Sequence, residues 1–399
     1  MTEIVLCLLV LPALLPAFAL LALTLAAGAP ARATPTRERP PGLRLAVLVP
    51  AHDESLHVLP TIASLQAQLA PQDRLLVVAD NCSDDTAALA RAAGAEVVER
   101  HDPTRRGKGH ALAHGVDHLR RDPPDVVLVV DADCSVDPGA VSAIVAECHH
   151  TARPVQMLDL MHAPSGAGLR HRVLEFAMVM KNLVRPLGSH RLGGVCQLMG
   201  TGMALPWRLI EHAPLATGHV AEDMKLGMAL TVAGHPPRFL AGARVRSAFV
   251  ADGGVARRQK ARWEHGHLDT MREELPAALA LAVTRRDRAL AVLALDLVIP
   301  PVALYFLLMA ALLAVAGAAG AGWAPARPAA TLVATGAACF GLAIGMGWWR
   351  FGRQLLSPAE LLRLPLYALW KLPVYVAYLA GMRSGWVRTQ RPSAPVGKC

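Results

Sequence analysis

The chain has 399 residues, which allows two or three domains, and its seven cysteines form neither the C-x-x-C pairs typical of zinc sites nor a disulfide framework. A hydrophobic content of 53% is too high for an ordinary soluble protein and indicates a membrane protein. The net charge of +9 comes with only 5% aromatic residues, so we expect the basic residues to meet a membrane surface rather than nucleic acid.

Residues 1–30 predict a transmembrane helix. The run Ile4–Gly28 carries no charge and is long enough to cross a bilayer. It lacks the basic start of a cleaved signal peptide, which favours a helix that is retained. Arginines crowd the linker 31–44, so the positive-inside rule assigns that side to the cytoplasm. We therefore expect a multi-pass protein of the inner membrane whose catalytic domain is cytosolic.

Residues 45–275 predict an α/β domain. Short stretches rich in β-branched and leucine residues have the composition of strands: 45–50, 74–80, 95–100 and 126–133. Helical stretches such as 55–69 and 85–93 lie between them, and this alternation predicts a mainly parallel sheet with helices on both faces. The turn at 81–84 is rich in side-chain oxygens, and we expect it to cap the helix that starts at Asp85.

Residues 289–350 predict two further transmembrane helices. The segments 289–316 and 329–349 are each long enough to span, although the first contains Asp296 and the pair Pro300-Pro301. The region 357–382 is interrupted by prolines and basic residues, so we expect a helix that lies in the membrane interface. A basic tail, continuing to residue 399, is expected to return to the cytoplasm.

Asp131 and Asp133 follow the most apolar of the predicted strands. Ligands of open α/β sheets bind beyond the carboxyl ends of the strands, so this Asp-x-Asp pair is expected to face a ligand. Two carboxylates this close repel each other, and a divalent cation such as Mg²⁺ or Mn²⁺ relieves the repulsion and also binds a diphosphate. A solvated turn is the alternative, which so short a motif does not exclude on its own.

Two other predicted strands also end in carboxylates, with Glu54 after the first and Asp80 at the end of the second. Such groups at one sheet edge could accept hydrogen bonds from a nucleobase or from ribose. Lys108, between Gly107 and Gly109, could supply a cation. Helix capping accounts for each acidic cluster alone, but three strands that end in the same way make capping a weaker explanation.

Several short motifs occur in the order found in family 2 inverting glycosyltransferases: PAHDE, VVADNCSDDT, GKGHAL, VVDADCSVD, GTGMALPW, AED at 221–223 and QKARW at 259–263. The chain therefore resembles that family, in particular the membrane-embedded branch of cellulose, chitin and hyaluronan synthases, and Trp386–Thr389 adds to this likeness. The resemblance covers about residues 45–270. It implies a GT-A fold, a nucleotide-diphosphate sugar donor and a divalent metal ion.

The resemblance also implies roles for individual residues. Asp223 matches the general base, while Glu222 and Trp263 match acceptor-binding positions. Donor binding is implied for Glu54, Asp80, Lys108, Asp131, Asp133, Gln259 and Arg262, of which Asp131 and Asp133 would also hold the metal. Where the family has threonine in its Thr-Glu-Asp motif, this chain has Ala221, which removes a hydroxyl near the acceptor.

Nearby residues of the same region have simpler interpretations. His265 and His267 are close in sequence, but no third ligand at a suitable spacing accompanies them, so we expect structural or interfacial roles. For Arg257 and Arg258 an anchor at the membrane surface is the preferred interpretation.

The leading hypothesis is a membrane-bound inverting glycosyltransferase that moves a sugar from a UDP-sugar to a membrane-associated lipid or saccharide acceptor in envelope glycan or glycolipid synthesis. A processive polysaccharide synthase is the first alternative, favoured by the Gln-x-x-Arg-Trp motif and disfavoured by Ala221 and by the small number of predicted spans. A catalytically silent scaffold of a polysaccharide-synthesis complex is disfavoured by the retained carboxylates. A nucleotidyltransferase is disfavoured by the Gln-x-x-Arg-Trp motif.

Overall fold

The structure is a computed structural model that describes residues 1–30, 37–163, 166–249 and 253–381, without the side chains of 253–258. Within these residues the strands are β1 (Leu45–Ala51), β2 (Arg74–Asp80), β3 (Glu96–Arg100), β4 (Val126–Val129), β5 (Ser135–Val136), β6 (Val155–His162), β7 (Met203–Pro206) and β8 (Arg238–Ala248). The α-helices are α1 (Thr2–Gly28), α2 (Val58–Gln66), α3 (Thr86–Ala92), α4 (Lys108–Leu119), α5 (Ala140–Thr151), α6 (Leu169–Val179), α7 (Arg185–Gly193), α8 (Trp207–Ile210), α9 (Glu222–Val232), α10 (Gly253–Arg285), α11 (Arg288–Leu297), α12 (Val302–Gly322), α13 (Arg327–Gly347), α14 (Pro358–Leu361), α15 (Leu364–Trp370) and α16 (Leu372–Leu379).

The chain divides into two compact units. The α/β unit comprises Ala31–Pro164 and Gly194–Gly266 and contains the whole sheet. The helical unit comprises Met1–Pro30, Ser165–Gly193 and His267–Arg383. Residues 165–193 therefore belong to the helical unit, although the sequence predicted them as part of a continuous α/β domain over 45–275.

The sheet of the α/β unit has the strand order β3-β2-β1-β4-β7-β6-β8-β5. The strands β3, β2, β1 and β4 are parallel neighbours, so their carboxyl ends meet at one edge. β7 runs antiparallel to β4 and to β6, and β8 returns parallel to β6. All four predicted strands are confirmed, although β4 ends at Val129 and leaves Asp131 and Asp133 in the segment that follows.

Helices cover the sheet on two faces. Apolar side chains of α2 and α5, such as Ile62 and Ile144, form one core with the sheet. Side chains of α4 and α9, such as Val116 and Leu230, form the core on the opposite face. The continuous Val and Leu content of β1, β2 and β4 follows from this sandwich, because both faces of these strands are buried.

The turn after β2 differs from its prediction in one detail. Asp85 occupies the N-cap position of α3, but its side chain makes no capping hydrogen bond. Asp84 serves α3 instead, because its Oδ1 accepts from the backbone N–H of Thr86 at 3.0 Å. Its Oδ2 accepts from the backbone N–H of Ser55 at 3.1 Å, so this carboxylate also connects the ends of β1 and β2.

Among the described residues, three helices of the helical unit are long and apolar enough to cross a membrane: Thr2–Gly28, Val302–Gly322 and Ala324–Gly352. Within the unit α1 packs against α13, and the Tyr305 hydroxyl donates to the carbonyl oxygen of Ala13 at 2.9 Å. The predicted span 289–316 is not one helix. It breaks between α11 and α12, because Pro300 and Pro301 cannot continue the helical hydrogen-bond ladder.

Residues 169–193 pack closely on α1. A Cβ atom added to Gly188 would lie 2.2 Å from the carbonyl oxygen of Leu23, so only glycine permits this approach of α7 to α1. The Arg191 guanidinium donates to the carbonyl oxygens of Ala27 and Ala29, both at 2.6 Å. It thereby supplies hydrogen bonds to carbonyl groups at the C-terminal end of α1, which have no partner within the helix.

The predicted interfacial helix over 357–382 is a series of short helices, α14 to α16. Pro365 and Pro373 lie in the first turns of α15 and α16, where proline is tolerated but ends the preceding helix. Leu362 and Leu379 expose 81% and 84% of their surface. The location of this segment in the interface stays a prediction. Part of the basic linker, residues 31–36, and the chain from 382, including Trp386–Thr389, lie outside the described residues.

Candidate active site

Lys108 lies between the end of β4 and the start of α9. Its ammonium group pairs with the carboxylate of Asp131 and donates to the carbonyl oxygen of Gly200 at 2.8 Å. Burial disfavours the charged ammonium, but Asp131, Glu222 and Asp223 outweigh this effect and raise the pKa of Lys108. The site therefore contains a fixed cation surrounded by carboxylates.

The first turn of α9 supplies two of these carboxylates, Glu222 and Asp223. Burial, followed by repulsion from Asp223, raises the pKa of Glu222 to about 8. Both residues line a small pocket whose apolar wall includes Leu112 and Leu226, which explains why Glu222 is desolvated. Two adjacent acids in an apolar setting are a common arrangement for proton transfer, since one of them stays protonated near neutral pH.

Gly200 joins the two sides of the site. A Cβ atom added to it would lie 3.2 Å from Lys108 Nζ and 3.3 Å from Asp223 Oδ2, and its φ of +86° also favours glycine. The predicted donor-binding cation and the predicted general base therefore meet at the same backbone position.

Asp131 and Asp133 have the properties of a site for a hard divalent cation. Burial and the neighbouring Asp133 raise the pKa of Asp131, while Lys108 opposes this shift. The Asp131 side chain still exposes 36% of its surface, so an ion and a diphosphate can reach it. Carboxylate oxygens that repel each other fit Mg²⁺ or Mn²⁺, because the ion removes the repulsion. Their assignment as metal ligands stays a prediction.

The Asp133 carboxylate has a thiol beside it. Cys134 Sγ donates to Asp133 Oδ1 at 3.4 Å. Burial, followed by the charges of Asp133 and Asp131, raises the pKa of Cys134, so the thiol keeps the proton that it donates.

A second cluster of possible metal ligands lies at the ends of β1 and β2. Ligand atoms of Asp53, Cys82 and Asp84 lie within 4.8 Å of one another, so the cluster could hold a metal. Asp53 Oδ1, however, accepts from the backbone N–H groups of Ser83 at 2.6 Å and of Asp84 at 3.2 Å. Burial raises the pKa of Cys82 to about 11, which disfavours the thiolate that binds metals. The carboxylates here already have the hydrogen bonds of a tight turn.

Asp80 and Glu54 lie at the same sheet edge, on β2 and after β1. Asp80 is only 6% exposed, and its Oδ1 accepts from Arg100 Nη1 at 2.6 Å. The backbone N–H of Glu54 donates to Thr86 Oγ1 at 2.8 Å. Sequence analysis missed Arg100, which ends β3 directly opposite Asp80 in the strand register. An arginine at the end of a third strand was the available signal, but its partner depends on the register.

The motif residues of α10 share one helix face, since Gln259, Arg262 and Trp263 are spaced by three and four residues. All three are partly buried. A Cβ atom added to Gly266 would lie 3.2 Å from Val220 Cγ1, so this part of α10 contacts the segment before α9. Burial lowers the pKa of Arg262, and the charge of Glu222 opposes this shift. Arg262 therefore lies near the carboxylates of α9.

The two histidines after this motif are both buried, at 6% exposure each. His267 belongs to the helical unit, where its Nε2 donates to the carbonyl oxygen of Ile299 at 3.0 Å. The side chains of Arg257 and Arg258 lie outside the described residues, so their role as an anchor stays a prediction.

Comparison with known proteins gives a consistent family. Residues 40–266, more than half of the chain, match "Glycosyltransferase like family 2". An uncharacterised glycosyltransferase of Mycobacterium tuberculosis is 37% identical over 195 residues, which are 43% of this chain and 84% of that relative. A glucosyl-3-phosphoglycerate synthase of Mycolicibacterium paratuberculosis is 28% identical over 200 residues, 45% of this chain, and the match spans only 58% of the synthase.

Among solved structures, a mannosyltransferase from Pyrobaculum calidifontis in complex with GDP-Man and Mn²⁺ has a similar fold. The TM-score is 0.52 at 18% identity, and the match covers 93% of this chain and 100% of the mannosyltransferase. This likeness, together with the mixed eight-stranded sheet, confirms the predicted GT-A fold.

Proposed function

Because the chain belongs to the glycosyltransferase-like family 2, we propose that it is a membrane-bound inverting glycosyltransferase. Its proposed donor is a nucleotide-diphosphate sugar, in the first instance a UDP-sugar. The proposed acceptor is a membrane-associated lipid or saccharide. The observation that carries this proposal is the meeting of Lys108, Asp131 and Asp223 around Gly200. It supports a site where a donor diphosphate and an acceptor hydroxyl approach each other.

The nucleoside of the donor is proposed to bind at the ends of β1 and β2. Asp80 would accept a hydrogen bond from the imide of uracil, and Glu54 would contact the nucleoside beside it. The Arg100 guanidinium neutralises Asp80, so a base can be bound here without an unpaired buried charge. GDP-Man is the second donor to test, because the mannosyltransferase of similar fold contains it.

The leaving diphosphate is proposed to bind beyond β4. A divalent cation held by Asp131 and Asp133 would neutralise part of its charge. Lys108 and Arg262 add fixed positive charge, which stabilises the negative charge that develops as the glycosidic bond to the diphosphate breaks. Gln259, on the same face of α10 as Arg262, would complete the donor contacts.

Asp223 is proposed as the general base. It would take the proton of the acceptor hydroxyl while that oxygen bonds to the anomeric carbon and the electron pair of the breaking bond leaves with the diphosphate. Attack from the face opposite the leaving group inverts the configuration. Glu222, whose pKa is raised to about 8, is mainly protonated at neutral pH and can donate a hydrogen bond to the acceptor. The indole of Trp263 offers a flat apolar surface to a sugar ring.

The acceptor distinguishes two versions of this function. Single or limited transfer to a lipid or a lipid-linked sugar is favoured by the three candidate spans and by Ala221 in place of threonine. A processive synthase of the cellulose, chitin and hyaluronan type is favoured by Gln259, Arg262 and Trp263 on one face of α10. A silent scaffold would have no use for the carboxylates of α9, whose burial is costly.

The test incubates membranes that contain the protein with radiolabelled UDP-sugars and GDP-mannose, and separates lipid-soluble from polymeric product. The expected result is a lipid-soluble product that is lost in EDTA and in matched Asp223→Asn membranes. A polymeric product would support the processive alternative. Full activity in EDTA would remove the metal assignment, and no transfer from any donor by the folded protein would support the scaffold.

The orientation in the inner membrane is proposed from the arginines that follow α1 and is tested separately. A reporter fused after residue 44 should behave as cytoplasmic, and one inserted near Trp323 as external. The opposite pattern would place the donor site on the side of the membrane where nucleotide sugars are not made, and would overturn the topology.

A further inference from the structure

One loop lies beside Lys108, Asp131 and Asp223 of the site described above. The glycine loop, Met199–Gly202, lies between Gln156 of β6 and the ends of β4 and α4. Gln156 is fully buried, its Oε1 accepts from the Met199 N–H at 2.9 Å, and its Nε2 donates to the Thr201 carbonyl oxygen at 2.8 Å. A single amide therefore holds the loop on both sides of Gly200.

The Thr201 hydroxyl connects the glycine loop to both predicted metal ligands. Its Oγ1 accepts from the backbone N–H of Asp131 at 3.1 Å and donates to Cys134 Sγ at 3.6 Å. The Cys134 thiol in turn donates to Asp133 Oδ1 at 3.4 Å. The donors all point in one direction, an order in which each hydrogen bond polarises the next. Removal of the Thr201 hydroxyl would interrupt this series of hydrogen bonds at its centre.

The backbone of the glycine loop contacts the remaining two groups. The Gly200 carbonyl oxygen accepts from Lys108 Nζ, and the Gly200 Cα leaves no room for a side chain beside Asp223. A displacement of the loop would therefore change the positions of the cation, the base and the metal carboxylates together.

We propose that the glycine loop sets the position of the predicted metal carboxylates relative to Lys108 and Asp223, and that Thr201 is the positioning residue for the metal carboxylates Asp131 and Asp133. The inference rests on the proposed function, because it takes these two residues as the metal ligands. Groups that orient metal ligands through hydrogen bonds affect metal affinity by about 10–100-fold when they are removed. A threonine that only filled a cavity would affect folding stability and leave metal affinity unchanged.

The experiment measures Mn²⁺ binding to the purified full-length protein in lipid nanodiscs by electron paramagnetic resonance, with UDP or GDP as the added nucleotide. The expected result for Thr201→Val, which keeps the volume and removes the hydroxyl, is a loss of Mn²⁺ affinity of about tenfold or more. Thr201→Ser restores the hydroxyl and should restore the affinity. Thr231→Val is the matched control, because Thr231 is equally buried and its hydroxyl bonds only to Gly227 within α9.

The variant Asp133→Asn separates this inference from the proposed function. Unchanged Mn²⁺ binding in Asp133→Asn, or no nucleotide-dependent binding in the wild type, would overturn the proposed metal site. Loss of binding in Asp133→Asn together with wild-type affinity in Thr201→Val would overturn the role of Thr201 alone. If Thr201→Val does not fold, Cys134→Ala replaces it. That variant removes the hydrogen bonds of Cys134 with Thr201 and with Asp133 but leaves the bond between Thr201 Oγ1 and the Asp131 N–H. It should weaken Mn²⁺ binding to a smaller extent, and unchanged affinity there would also overturn the inference.

Discussion

The α/β unit and the helical unit distribute their side chains in opposite ways. In the α/β unit the large apolar residues are inside, with Leu48 and Val77 fully buried, and charged groups cluster at the strand ends. In the helical unit many large apolar side chains face outward, with Leu9 and Val315 exposed by 70% and 69%. The charged groups Arg185 and Asp296 lie inside that unit, each only 5% exposed.

The two units also differ in what lies beside their buried carboxylates. In the helical unit Asp296 has a partner of opposite charge, since Arg185 Nε donates to its Oδ1 at 2.8 Å and Arg185 Nη2 donates to its carbonyl oxygen at 2.7 Å. In the α/β unit Glu222 has another acid, Asp223, as its immediate neighbour, and its pKa is raised. A buried charge with a partner of opposite charge has a structural role, because removal of the partner leaves it uncompensated, whereas adjacent acids at the start of a helix, one with a raised pKa, are candidates for chemistry.

The largest expected effect tests the chemical side of this comparison. Asp223→Asn keeps the volume of the side chain but cannot take a proton, so turnover should fall by at least about two orders of magnitude. Donor affinity should stay near that of the wild type. Trp263→Ala is the companion variant, because loss of an acceptor surface should raise the apparent KM for the acceptor as well as lower turnover.

The competing assignment is Glu222, and steady-state kinetics together with nucleotide binding decide between the two acids. Intact turnover combined with lost nucleotide binding in Asp223→Asn would move Asp223 to the donor site. Glu222→Gln would then be expected to show the large loss of turnover.

The second prediction tests whether the buried ion pair of the helical unit, Arg185 with Asp296, has a structural role. Arg185→Ala leaves Asp296 buried without its guanidinium and should lower the free energy of unfolding by about 3–5 kcal/mol. The double variant Arg185→Met with Asp296→Leu should recover most of that loss, because it removes both charges. Thermal unfolding in detergent measures both. If the single and double variants were equally unstable, the pair would not be the source of the effect.

A third prediction concerns His267 and the change of folding stability with each pH unit. Burial, followed by the charges of Arg185 and Lys181, lowers its pKa to about 3, below the value of about 6.5 in an unfolded chain. Between these pH values the unfolded state binds more protons, so stability should fall as the pH falls through this window, by at most about 1.4 kcal/mol per pH unit. His267→Gln should flatten this part of the profile relative to the wild type, and identical slopes would contradict the assignment.

The sequence predicted the strands of the sheet better than the contacts between side chains at the ends of different strands. Runs of Val and Leu that are buried on both faces are typical of inner parallel strands, so β1, β2 and β4 were predicted correctly. The pairing of Arg100 with Asp80 depends on the register of β2 and β3, which no local pattern encodes. The motif GTGMALPW was visible, but the contact of Gly200 with Lys108 joins residues that are 92 positions apart.

The place of residues 169–193 in the helical unit is not visible in the sequence for a related reason. A helix that packs on a sheet and a helix that packs on other helices have the same spacing of apolar residues. The decisive signal is the small residue Gly188 against Leu23, and its partner lies far away in the sequence. The break at Pro300-Pro301 was visible in the sequence, but its consequence for the length of the span was underestimated.

The division of the helical unit into three stretches of chain has a practical consequence for producing the sheet-containing part alone. A protein shortened to residues 37–266 would lose α1 and α13 but retain α6 and α7, including the surface of α7 that packs against Leu23. That surface would then meet water, and such a fragment is expected to aggregate even if its sheet folds correctly. A soluble version has to lack Leu169–Gly193 as well as both ends of the chain.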